Sequence, residues 1–121
     1  MRVLLVEDDV LIGAALAADV REIGFEPVGP IRSASAALEL VRRGEVDMAV
    51  LDFKVAGGDI GELATLLAQR NIPFAWLTGY APAALPAHNA PILVKPVSSR
   101  RFQQTLTELI GGAPAGSASA V

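Results

Sequence analysis

The stretch Val3-Leu4-Leu5-Val6-Glu7-Asp8-Asp9 decides the fold. Four consecutive apolar residues stop abruptly at three acids, and apolar residues then recur at Ile12, Leu16, Val20 and Ile23. The first run has the length and composition of a buried strand, and the second has helical spacing, so the chain opens as a strand followed by a helix. Working outward, the same alternation repeats. A weaker strand is expected around Phe25 to Val28, closed by Gly29-Pro30, and a helix from about Ser33 to Arg43 with Ala37, Leu38 and Val41 inward. Gly44 serves as its stop.

Met48-Ala49-Val50-Leu51 supplies the third strand. Beyond the loop from Asp52 to Gly58, Asp59 and Glu62 have the spacing of a capping box, so a helix carrying Ile60, Leu63, Leu66 and Leu67 should begin there. Phe74-Ala75-Trp76-Leu77 and Ile92-Leu93-Val94 are the fourth and fifth strands. Between them stand Pro82, Pro86 and Pro91, and proline costs about 3 kcal/mol inside a helix, so any fourth helix is short or irregular. Ser98 caps a closing helix with Phe102, Leu106, Leu109 and Ile110 inward. The fold class is therefore α/β: five parallel strands and about five helices in a flavodoxin-like doubly wound sandwich.

With 121 residues there is material for one core, and 52% hydrophobic content against 5% aromatic makes that core aliphatic. Residues 1–110 are expected to form it and the Gly/Ala/Ser-rich residues 111–121 a disordered tail, with no room for an output domain. A net charge of −3 offers no basic field for nucleic acid. The absence of cysteine excludes disulfides and thiolate metal sites and suits a reducing compartment. Val3 to Val6 is too short for a signal-peptide core, which points to a cytoplasmic protein without a membrane span.

Four apolar runs end at groups useful to chemistry: Glu7-Asp8, Asp52, Thr78 and Lys95. In a parallel sheet these ends share one edge, and ligands of open α/β sheets bind there, where the strand order reverses. Taken singly, each residue is an ordinary loop or helix-opening group. Lys95 is harder to read that way, because it is one of two lysines and stands between an apolar run and Pro96. Carboxylates gathered at one edge repel by roughly 4 kcal/mol per pair at 4 Å and an effective dielectric near 20 unless cations sit among them. Lys95 and an oxygen-ligated divalent ion such as Mg²⁺ meet that need. The lone His88 lies in the proline-rich loop and reads as a surface residue.

Five separately placed elements resemble the receiver domain of two-component response regulators (CheY-like), over nearly the whole chain from Arg2 to about Ile110. They are Leu4-Leu5-Val6-Glu7-Asp8-Asp9, Leu51-Asp52, Leu77-Thr78-Gly79, Lys95-Pro96 and the closing amphipathic helix. The resemblance implies a phosphoprotein of phosphorelay signalling that accepts a phosphoryl group on Asp52 from a histidine kinase or phosphotransfer protein. It implies Mg²⁺ held by Glu7, Asp8, Asp52 and the backbone carbonyl of Lys54, with Asp8 a direct ligand and Glu7 acting mostly through water. It also implies that Thr78 senses the phosphoryl group, that Lys95 neutralises it, and that the Lys95-Pro96 peptide is cis.

Several positions depart from the usual pattern. Ala56 stands where most members have proline, with Gly57-Gly58 left to make the turn. Ile92 occupies the position of the usual switch aromatic, which makes Tyr80 its substitute alongside Thr78. Phe74 through Tyr80 is similar to the Phe-Ala-Thr-Gly-Tyr pattern of an atypical receiver subgroup. Lys54 is either a solvated loop residue or a cation leaning over the acceptor and tuning phosphoryl lifetime. Two other readings compete: a Mg²⁺-dependent phosphohydrolase with Asp52 as nucleophile, which lacks an evident second acid-base group, and a receiver-like binding module that is never phosphorylated.

Overall fold

The computed structural model of the chain describes residues 1–55, 57–79 and 90–111. Among them are five strands, β1 (Arg2–Val6), β2 (Glu26–Ile31), β3 (Met48–Asp52), β4 (Phe74–Thr78) and β5 (Ile92–Val94). Four helices accompany them: α1 (Val10–Glu22), α2 (Ala34–Arg42), α3 (Ile60–Gln69) and α4 (Ser99–Ile110). The expected irregular fourth helix falls in 80–89 and the expected tail almost wholly in 112–121, both outside the described residues, as is Ala56.

All strands pair in parallel in the order β2-β1-β3-β4-β5, so the chain reverses its direction of travel across the sheet between β1 and β3. The pleat of each strand divides the core in two. Val3, Leu5, Met48, Val50, Ala75, Leu77 and Leu93 pack with Leu16, Ala17 and Val20 of α1 and Phe102, Leu106 and Leu109 of α4. On the opposite face Leu4, Val6, Ala49, Leu51, Phe74 and Trp76 pack with Ala37, Leu38 and Val41 of α2 and Leu63, Ala64 and Leu67 of α3. Both faces are covered, which explains why the strands read as continuous apolar runs rather than alternating ones.

Helix starts follow local chemistry. Asp9, Ser33, Asp59 and Ser98 each accept a hydrogen bond from a backbone N–H of the helix that follows, satisfying donors that the first turn leaves without partners. Glu62 lies in the first turn of α3 but pairs with Arg42, at 3.7 Å, so only the Asp59 half of the expected capping box forms.

Two sequence expectations need correction. Gly29-Pro30 does not close β2: the strand runs through to Ile31, because a register shift opposite Leu4 to Val6 absorbs the extra residue. The Gly29-Pro30 peptide is cis. Ile110 is exposed rather than inward, since the buried stripe of α4 ends with Leu109. Phe102→Ala should therefore cost about 3–5 kcal/mol, comparable to the whole stability of a small domain, while Ile110→Ala should stay within about 0.5 kcal/mol of the parent in urea unfolding. Equal costs would mean the inward face of α4 has been misassigned.

Candidate functional site

Register and pleat together build the site. Val3 pairs with Met48 and Val6 with Leu51, so one step further the ends of β1 and β3 bring Glu7 and Asp52 side by side. Both continue the set that faces α1 and α4, Glu7 in phase with Val3 and Leu5, Asp52 with Met48 and Val50. Lys95 follows in phase with Leu93 of the same layer. Three ionisable groups thus converge at the switch point of the sheet, where crevices of this architecture bind their ligands.

The Lys95 ammonium lies 2.8 Å from Glu7 Oε1 and 2.9 Å from Asp52 Oδ2. Glu7 and Asp52 are almost completely buried, at 1% and 3% exposure, and Lys95 closes over them with its side chain 21% exposed. The Lys54 N–H donates to Asp52 Oδ1 at 2.9 Å, and the Asp9 N–H donates to Glu7 Oε2 at 3.3 Å. Glu7 Oε1 is buried, with the Lys95 ammonium against it.

Two buried carboxyls beside one ammonium do not both ionise easily. Burial is the largest influence on Glu7, and with a hydrogen bond to Asp52 it pushes the Glu7 carboxyl up to about 7. Burial is also the largest influence on Asp52 and acts in the same upward direction. There it is outweighed by hydrogen bonds from Glu7, the Lys54 N–H and Lys95, which hold Asp52 below the usual carboxylate range. For Lys95, burial opposes the charge, but contacts with Glu7 and Asp52 dominate and raise it. Of the two, Asp52 is the more readily ionised and Glu7 the one pushed toward its protonated form.

Glu7, Asp8 and Asp52 each offer a carboxylate oxygen within 4.8 Å of the others, with Asp8 exposed at the mouth and the other two beneath it. Three carboxylate oxygen donors and no nitrogen or sulfur ligand fit a hard divalent cation of the Mg²⁺ type. Thr78 is buried at the end of β4, and its carbonyl accepts from the Lys95 N–H at 2.7 Å. The Lys95-Pro96 peptide is cis. Lys54 is exposed on the loop after Asp52, and Ile92 is 44% exposed on β5. Tyr80 and His88 lie outside the described residues.

The structure adds features that the residue-by-residue reading did not reach: the direct pairing of Glu7 with Lys95, the Lys54 N–H on Asp52, and Phe53 set edge-on against Trp76 at 5.8 Å and 78°. The first had a signal available, since Glu7 keeps the pleat phase of Val3 and Leu5.

No family model matches the chain. The transcriptional regulatory protein PdtaR of Mycobacterium tuberculosis is 35% identical over 81 residues, which are 66% of this chain and 40% of that protein. The chain thus spans about two fifths of the length of the curated relative it matches. Among solved structures, a response regulator receiver protein from Sinorhizobium medicae superposes with a TM-score of 0.80 at 21% identity, covering 92% of this chain and 94% of that one. The BeF3-activated conformation of SdrG from Pseudomonas melonis is similar at 31% identity and a TM-score of 0.75, covering 90% and 95%. The fold is that of response regulator receiver domains.

The upward shift of the Glu7 carboxyl has a measurable consequence. A carboxyl raised from 4.5 to about 7 stabilises the cation-free fold fully below 4.5, and this contribution is lost as pH climbs to about 7. A divalent cation competes with the same proton, so Mg²⁺ affinity in calorimetry should fall by up to about tenfold between about pH 7 and about pH 6, with proton release. Glu7→Gln should flatten that dependence, and an unchanged affinity across this range in the parent would show that Glu7 holds no such proton.

Proposed function

We propose that the chain is a response regulator receiver that accepts a phosphoryl group on Asp52 from a histidine kinase or phosphotransfer protein. The observation that carries this reading is the Lys95 ammonium held between Glu7 and Asp52 at the switch point of a receiver fold. The similarity to a protein titled a transcriptional regulator and to one studied in a BeF3-activated conformation supports it.

Asp52 is held ionised, so it needs no general base to act as nucleophile. One of its carboxylate oxygens forms a bond to phosphorus as the bond from phosphorus to the donor imidazole nitrogen breaks, and the electron pair leaves with the imidazole. Glu7, Asp8, Asp52 and the Lys54 backbone carbonyl would hold Mg²⁺, which supplies positive charge to the phosphoryl oxygens when bound. The Lys95 ammonium, already beside Asp52, offsets the charge the phosphoryl group brings. The Thr78 hydroxyl at the end of the neighbouring strand donates to a phosphoryl oxygen, and Tyr80 follows it as the switch residue, in the manner of the Phe-Ala-Thr-Gly-Tyr subgroup. Water later cleaves the acyl phosphate, returning the Asp52 carboxylate and inorganic phosphate, and Lys54 tunes that step by crowding the attacking water. Output is then docking to a protein target or draining of phosphoryl groups from a shared kinase. This is a regulatory phosphoacceptor acting in the cytoplasm, and the catalysis in it is confined to its own phosphorylation and dephosphorylation. Among the described residues, no helix is long and apolar enough to cross a membrane.

Incubation with Mg²⁺ and acetyl phosphate, read by intact mass, should add one phosphoryl group, and Asp52→Asn should abolish it. Full Mg²⁺ binding with no adduct would identify a binding module instead, and sustained release of phosphate from small phosphoesters would identify a hydrolase. Lys54→Ala should shorten the phosphoryl lifetime by a factor of about 2 to 10, the scale of a charge-assisted contact; an equal decay rate would remove Lys54 from the tuning role.

A further inference from the structure

The loop after Asp52 is fastened to the sheet at its start. Phe53 N–H donates to the Leu77 carbonyl at 2.9 Å, Lys54 N–H to Asp52 Oδ1 at 2.9 Å, and Val55 N–H to the Asp52 carbonyl at 3.3 Å. Val55 is buried, and the Phe53 ring rests on Trp76. The far end is fastened to a different element. The Gly57 carbonyl accepts two hydrogen bonds from Ser35 in the first turn of α2, from the backbone N–H at 2.9 Å and from Oγ at 2.8 Å. These groups are 22 residues apart in the chain.

The contact suits both sides. Helix α2 begins with backbone donors that have no partner inside the helix; Ser33 Oγ takes the Ala36 N–H, and Gly57 takes that of Ser35. The loop must lie flat on the helix start to do this. Gly57 and Gly58 have φ of +75° and +128°. A Cβ on Gly57 would stand 2.8 Å from Ser33 Cβ, and one on Gly58 would stand 2.5 Å from Ser35 Oγ and 2.8 Å from Ser35 N. Only glycine combines these backbone conformations with this approach. Among the described residues the Ser35 hydroxyl is the side-chain donor to this end of the loop, and no proline stands four residues after Asp52 to stiffen it.

We propose that Ser35 is a positioning residue for the acceptor site. By clamping the Gly57 carbonyl it holds Gly57 and Gly58 on the start of α2, three residues from the Lys54 backbone that touches Asp52. The inference rests on the reading of Asp52 as a phosphoacceptor bordered by this loop. It assigns regulation of that site to the start of α2, on the opposite face of the sheet from Lys95, α1 and α4. Any event that occupies or displaces the Ser35 hydroxyl is then felt at Asp52.

The test compares the parent chain with Ser35→Ala and Ser35→Thr, the latter keeping a hydroxyl. Three quantities are read on folded protein: Lys54 amide hydrogen exchange, Mg²⁺ affinity from emission of the single tryptophan, Trp76, and phosphoryl lifetime after acetyl phosphate. The hydroxyl bond is solvent-exposed and neutral, so Ser35→Ala should speed Lys54 exchange and weaken Mg²⁺ affinity by roughly threefold to tenfold, with Ser35→Thr returning both to within about twofold. A merely structural role would lower the urea midpoint and leave these ratios unmoved. Unchanged exchange and affinity in Ser35→Ala overturn the clamp, whatever the labelling result. Altered exchange with no acetyl phosphate adduct in the parent leaves the clamp standing and removes the phosphoacceptor reading.

Discussion

The arrangement depends on one electrostatic constraint: two carboxylates forced together by strand register, with a single ammonium between them. Parallel pairing of β1 and β3 brings Glu7 and Asp52 to the same level of the sheet, and the pleat turns both toward the same layer. Burial at 1% and 3% exposure denies them water. Lys95, delivered from the far edge by β5, compensates part of that charge, and the same burial pushes Glu7 toward its neutral form. With Asp8 at the mouth, the site holds three carboxyl groups beside one ammonium, a donor set whose chemistry fits a hard divalent cation.

The apolar architecture makes this tension sustainable. Strands covered by helices on both faces form a rigid floor, with Val3, Leu4, Leu5, Ala49 and Leu51 fully buried immediately beneath the acids. Helix starts capped by Asp9, Ser33, Asp59 and Ser98 need no charge from the site itself. The ionisable cluster can therefore respond to ligands without the fold beneath it being rebuilt.

Much of this was legible in the residues. The runs at Val3 to Val6, Met48 to Leu51, Phe74 to Leu77 and Ile92 to Val94 marked four strands, because burial on both faces leaves an unbroken apolar signal. The juxtaposition of Glu7, Asp8, Asp52 and Lys95 followed from strand ends sharing one edge. The second strand was read too short, because local rules treat Gly29-Pro30 as a stop and do not foresee a register shift that absorbs it. Ile110 was placed inward because helical spacing tolerates one residue more than α4 buries. The Ser35 clamp left no periodic trace, since a bond across 22 residues joins two segments whose local patterns are independent; the pair Gly57-Gly58 was its sole local sign. Tyr80 and His88 lie outside the described residues.

The edges of the sheet carry a consequence of their own. At one side β2 contains Pro27 and Pro30, so two of its six residues have no amide hydrogen to offer a newcomer. At the other, β5 is only three residues long. Neither margin is a good template for lateral growth of the sheet, which guards an aliphatic chain against edge-to-edge stacking into fibres. Recognition by other macromolecules is thereby steered away from backbone zippering and onto helix faces and connecting segments, where side-chain identity, and hence selectivity, is greatest.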